Sequence, residues 1–103
     1  MIEIRILIPL SSNEGVTFTQ EHHRSFEAVL LRYFGGFSRV PGATIGGWQN
    51  AEGQVFNDYS ACYIVAVKSI TATHNLVKVA AFAKTHYRQE ALYLSYLGMA
   101  EIL

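Results

Sequence analysis

The segment Ile2-Glu3-Ile4-Arg5-Ile6-Leu7-Ile8 decides the fold. Isoleucine holds every even position, while Glu3, Arg5 and Leu7 hold the odd ones. Successive side chains of an extended chain leave on opposite faces, so this period of two predicts a strand with one face against a core. Pro9 has no N–H to give to a ladder, and the polar run 11–15 after it reads as a loop.

The cover for the isoleucine face comes from two helical patterns. Thr19 suits an N-cap, and Phe26, Val29, Leu30 and Tyr33 then recur at helical spacing, which predicts a helix over 20–34. Gly35 and Gly36 end it, the first as a left-handed cap. The second pattern, Ala72, Leu76, Val79, Ala80, Ala83 and Tyr87, predicts a helix over about 73–86, with Phe82 and His86 one turn apart on its flank.

Between the helices lies the glycine-rich stretch FGGFSRVPGATIGGW, residues 34–48, which holds five of the eight glycines. Residues 37–40 read as extended, and Pro41-Gly42 is a turn signal. Residues 43–49 form a strand in which Gly46-Gly47 marks a bulge or a close backbone approach. Residues 50–53 supply hairpin-turn chemistry with Gly53 at positive φ. Residues 55–67 return as a long strand, with a bulge or irregular entry expected at Asn57-Asp58. Both parities of 61–67 are apolar, which predicts cover on both faces, and residues 90–103 close the chain as a strand bent at Gly98.

The order strand, helix, strand, strand, helix, strand is the split β-α-β form of an α+β ferredoxin-like sandwich, βαββαβ, with two helices on one face of an antiparallel sheet. Residues 1–103 read as one such domain. Half of the residues are apolar and only 16% are charged, against roughly 25% in an average soluble domain. The helices leave one sheet face open, carrying Glu3, Arg5 and Leu7 from the first strand and either Tyr93, Leu97 and Met99 or their neighbours from the last. These features predict a homodimer formed through the open face or along an edge strand.

Eight basic and eight acidic residues cancel, which argues against nucleic acid or an anionic membrane surface as partner. The single Cys62 excludes an intramolecular disulfide and a multi-cysteine zinc site, and fits a cytoplasmic setting. No basic leader or long apolar run is visible. The glycines match neither a Walker loop nor a dinucleotide turn, and no acidic spacing suggests a metal site or a bound cofactor.

The candidate functional residues each carry two readings. His22 and His23 are adjacent on a helix, point about 100° apart and do not converge readily on one ion; they are catalytic candidates or residues rimming the core near Phe26. His86 and His74 read as surface or capping residues. Asp58 beside Tyr59 is a candidate base or ligand anchor, or a partner for loose backbone N–H groups at a bulge. Trp48, next to two glycines, suits a pocket wall or an interface. Tyr59 and Tyr63 join it on the expected ligand-binding or contact surface. Arg5 either binds an anion or pairs with Glu101 across the sheet.

The run FGGFS, the following PG and GGW, the late QEAxY at 89–93 and the terminal GxAEIL resemble small bacterial and mobile-element proteins that have no assigned biochemistry. A looser likeness, of fold alone, is to dimeric α+β barrel proteins, among them cofactor-free monooxygenases. Two functions follow. One is a self-associating domain that binds a small ligand or a protein through an aromatic surface; the other is a small cofactor-free enzyme with Asp58, His22 or His23 as base and Trp48 as a wall. An enclosed cavity uniting Asp58 or a histidine with the aromatics would favour the enzyme.

Overall fold

The structure, a computed structural model, describes residues 1–69 and 74–96 and the backbone of 99–102. In chain order the elements are β1 (Ile2–Pro9), α1 (Gln20–Phe34), β2 (Ser38–Arg39), β3 (Thr44–Gln49), β4 (Val55–Val67), α2 (His74–Tyr87), β5 (Tyr93–Tyr96) and β6 (Met99–Ile102). They form one antiparallel sheet in the order β2-β4-β1-β5-β6, with β3 also beside β4. Both helices cover one face of it, which is the ferredoxin-like α+β arrangement.

The alternation in β1 sets the layers. Ile4, Ile6 and Ile8 are buried, and in the unbroken register with β4 they lie opposite Val65, Tyr63 and Ala61, which are buried too. On the other side of β1, β5 brings Leu94 opposite Ile6 and Tyr96 opposite Ile4. Phe26 and Leu30 of α1, with Leu76, Val79, Ala80, Ala83 and Tyr87 of α2, close over this row. The small alanines let α2 approach the sheet closely.

Local chemistry fixes the helix ends. Thr19 accepts a hydrogen bond from the His22 N–H at 3.1 Å, satisfying one orphan donor of the first turn. Gly35 sits at φ 77°, and its N–H returns to the Leu31 carbonyl. Glycine enters that left-handed conformation without steric cost.

Three strand expectations change. No bulge occurs at Asn57-Asp58 or at Gly46-Gly47, because β3 and β4 pair continuously from Thr44↔Ser60 to Gln49↔Val55. The turn explains this: the Asn50 side-chain oxygen accepts from the N–H groups of Glu52 and Gln54, and Gly53 takes φ 84°. That self-contained loop sets the register without an extra residue. The closing segment is two strands, β5 and β6, paired as a hairpin; the bend at Gly98 and the helical position of Ala72 lie outside the described residues. On the face of β4 away from the helices, Cys62 is buried but Ala66 is exposed, so cover on both faces holds for only part of 61–67.

One consequence positions the site. β1 pairs with β4 only as far as Pro9↔Ser60, whereas β4 continues outward beside β3. One further backbone bond, from the Leu10 N–H to the Tyr59 carbonyl at 3.0 Å, closes that pairing. Among the described residues, β3 and residues 55–59 thus form a two-stranded arm that projects past β1.

The core face should be costly to truncate. Ile6→Ala is expected to lose about 2–4 kcal/mol of unfolding free energy in urea titration, the range for deleting a buried branched side chain. Gly35→Ala should lose about 1 kcal/mol by the same measurement, and Gly35→Asn less. A Cβ at Gly35 meets nothing within 4 Å, so this loss would report backbone conformation alone.

Candidate functional site

A cleft of about 820 Å³ opens in the corner where β1 stops and the arm continues. The arm supplies Trp48, Phe56, Asp58 and Tyr59; the sheet supplies Leu7, Pro9, Ser60 and Tyr93; Ser11, Ser12, Asn13 and Gln89 close the side. Trp48 and Phe56 face each other across the β3–β4 rung and stack with ring centroids 4.6 Å apart. Both remain substantially exposed, Trp48 at 52%. The result is an aromatic shelf beside a carboxylate and several hydroxyl and amide groups. A mostly apolar concavity with a few convergent polar groups is the usual form of a small-molecule site.

Of the residues singled out in the sequence, Trp48 and Asp58 share the cleft face of the arm, and Tyr59 lines the cleft from the intervening rung, whose side chains leave on the other face. Tyr63 does not line it, which corrects its expected place on the contact surface. It lies opposite Ile6, so the pleat turns it toward the helices; it is 0% exposed and donates a 2.6 Å hydrogen bond to the Glu27 carboxylate. Arg39 lies 3.9 Å from the same carboxylate oxygen and 5.6 Å from the centre of the Tyr63 ring. Burial, and then the bond to Glu27, push the Tyr63 phenol up, so it stays a neutral donor. Arg5 stands exposed on the open sheet face, 3.2 Å from Glu3, and is not part of the cleft wall. The Glu101 side chain lies outside the described residues.

His22 and His23 lie away from the cleft, where α1 meets α2. The His22 ring donates from Nε2 to the His86 carbonyl and the His86 ring donates from Nε2 to the His22 carbonyl, each at 2.7 Å. A carbonyl can only accept, so both rings carry a proton at Nε2. The two rings stack 3.7 Å apart, with Phe18 on the outer side of His22 and Phe82 on the outer side of His86. His86 is therefore a helix-packing residue and not a surface one. His23 is buried and shares a 2.8 Å hydrogen bond between Nδ1 and the Tyr87 hydroxyl. Burial, and then the positive charge of Arg39, lower its pKa from 6.5. Burial likewise raises that of Tyr87.

Sequence reading missed the His86–Tyr87 side of this contact and the Glu27–Tyr63–Arg39 group. A signal for His23 was present: it precedes Phe26 by three residues and Leu30 by seven, which places it on the buried stripe. Nothing comparable marked Ser11, Asn13 or Gln89, which reach the cleft only through the fold. Among the described residues, no group of three or more His, Cys, Asp or Glu is placed to hold a metal ion. None of their helices is long and apolar enough to cross a membrane.

No protein-family model and no curated protein matches the chain. Solved structures do. A phage SAM lyase in complex with S-methyl-5′-thioadenosine superposes with a TM-score of 0.72 at 18% identity, over 99% of this chain and 86% of that one. The apo state of a phage SAM lyase gives 0.68, also at 18% identity and the same coverage. The divalent cation tolerance protein Cut A1 from Thermus thermophilus gives 0.61 at 24% identity, over 98% of this chain and 86% of that one. At these identities the likeness is one of fold.

The histidine contact has a pH signature. His23 binds its proton less readily folded than unfolded, so its contribution to stability is present above 6.5 and is lost as pH falls from there through the lowered folded value. In denaturant titrations between about pH 7.5 and about pH 5, His23→Asn should be less stable at the upper end and show a shallower loss on acidification. Parallel pH profiles for the two forms would remove His23 from the account.

Proposed function

We propose that this chain is a self-associating domain that binds a small aromatic ligand in the cleft at Trp48, of the nucleoside-thioether class to which S-methyl-5′-thioadenosine belongs. The observation that carries this reading is the exposed Trp48–Phe56 shelf beside Asp58 in a cleft of ligand size. A stacked aromatic pair is a surface on which a flat heterocycle gains contact area at little conformational cost. The ligand in the phage SAM lyase complex supplies the class. A buried, unpaired Cys62 is in keeping with a reducing, cytoplasmic compartment.

Self-association is supported by the arm. Ile45, Val55 and Tyr59 are exposed on one side of it and Trp48 and Phe56 on the other. A two-stranded ribbon with apolar groups on both faces is marginal alone in water. A second copy, related by a two-fold or other closed symmetry, hides the Ile45, Val55 and Tyr59 side most simply and leaves the Trp48 side to the ligand.

An enzymatic reading is favoured by one feature, the Asp58 carboxylate in the same cleft as the aromatics. Its version with a cavity between sheet and helices, as in dimeric α+β barrel monooxygenases, has less support, since Phe26, Leu30, Tyr63 and Tyr87 fill that space. The cleft is also open-sided and contains no histidine among the described residues, which favours binding over enclosed catalysis.

Calorimetric titration with S-methyl-5′-thioadenosine should give saturable binding, and Trp48→Ala should weaken it by about tenfold or more, or roughly 1.4 kcal/mol. No binding by the unmodified chain would overturn the reading. Sedimentation at micromolar concentration should show an oligomer, and a strict monomer would remove self-association. Consumption of SAM by the unmodified chain but not by Asp58→Asn would favour the enzyme.

A further inference from the structure

Glycine inside a strand weakens it, so its presence asks for a reason. Gly46, in the middle of β3, has none within the chain. Its φ is not in the left-handed region, the register around it is regular, and a Cβ built on it meets nothing within 4 Å. Neither a turn, a bulge nor a close approach of the protein's own described atoms requires it.

Its position supplies the reason. Along the open face of the arm three cross-strand rungs follow one another: Trp48–Phe56, Gly46–Asp58 and Thr44–Ser60, all six residues lining the cleft. Same-face rungs are about 7 Å apart, two residues of strand rise. The first is a closed aromatic stack, so a ring can lie on it but not within it. The second pairs a carboxylate with an empty place, and the third offers two hydroxyls.

Building on the nucleoside-thioether reading, we infer that the ligand is a ribonucleoside laid along these rungs. Its base stacks on Trp48 and Phe56, and its sugar occupies the space left by Gly46. The vicinal 2′- and 3′-hydroxyls donate to Asp58, and its 5′ substituent points toward Thr44 and Ser60. The distance from a base to the hydroxyls of its sugar is about one rung step. A carboxylate is an acceptor without donors, which matches the two O–H groups of a ribose and is left unpaired by a sugar that lacks them. Gly46 is then a specificity-determining residue: any side chain there would fill the place of the sugar.

The test is equilibrium binding of S-methyl-5′-thioadenosine and of its 2′-deoxy form to the full chain, to Asp58→Asn and to Gly46→Val. The unmodified chain should prefer the ribose form by about tenfold or more, a preference that should fall below about threefold in Asp58→Asn. Gly46→Val should weaken the ribose form by about tenfold or more. Its sedimentation coefficient and thermal midpoint should not fall, because valine suits a strand and its Cβ points into open space. Equal affinity for the two sugars, or unchanged binding by Gly46→Val, would overturn this inference while leaving the nucleoside-thioether reading in place. A change in oligomeric state in Gly46→Val without a change in binding would assign the space to a second copy and overturn it as well. No binding of either compound by the unmodified chain overturns both.

Discussion

The pairing of β1 with β4 is the constraint on which the other features depend. Every residue of β1 has a partner on β4 in a register without interruption. Because a slip of one residue would send the isoleucines to the open face, the apolar alternation itself holds that register. Once it is set, Tyr63 must face the helices, where its hydroxyl would be costly unless bonded. Glu27 and Arg39 meet that need from α1 and β2. The same logic runs through α2, where the buried Tyr87 hydroxyl finds His23. No buried side-chain polar atom among the described residues lacks a partner.

The helix pair is joined by polar groups in an aromatic setting instead of by an aliphatic seam alone. The reciprocal bonds of His22 and His86 are directional: each ring must lie over the other helix's carbonyl, which fixes the relative position of the two helices along their axes. Ridges of aliphatic side chains permit several such positions. Phe18 and Phe82 cap the ring column at its two ends, and Tyr87 meets Phe18, His22 and Phe26 edge-on. The histidines thus serve the architecture, and one ring nitrogen of each is committed to it.

Much of this was legible in the sequence because it rested on periodicity. The alternation in β1 and the spacing of Phe26 and Leu30, or of Leu76, Val79 and Ala83, are local records of which side faces the core. The cap at Thr19 and the left-handed Gly35 are local as well. What failed was either parity or partnership. Tyr63 and Tyr59 look alike in a strand that is apolar on both parities, yet one lies under the helices and the other lies on an arm beyond them. The bulge expected at Asn57-Asp58 is absent because the Asn50 turn, several residues away, had already fixed the register. Of the cleft, Trp48, Asp58 and Tyr59 could be suspected from their own chemistry. Ser11, Asn13 and Gln89 could not, since they reach it only by way of the loop that follows β1 and of the exit from α2.

The position of the cleft follows from where the core is complete. Between sheet and helices the space is packed with Phe26, Tyr63, Tyr87 and their neighbours, and a site there would need a cavity that close packing removes. The arm is different. It gains no burial from the helices, and its registry is held by β4 on one side and by its own turn at the tip. Side chains on it are therefore free of packing demands, yet are carried on regular strands that fix their spacing. An aromatic pair, a glycine and an aspartate in consecutive or adjacent rungs can persist there only at some cost to the strand, since glycine and aspartate both disfavour it. Residues that weaken the element they belong to, on a segment the core does not need, are not explained by what they hold together, and this is what motivates the binding site proposed for the arm.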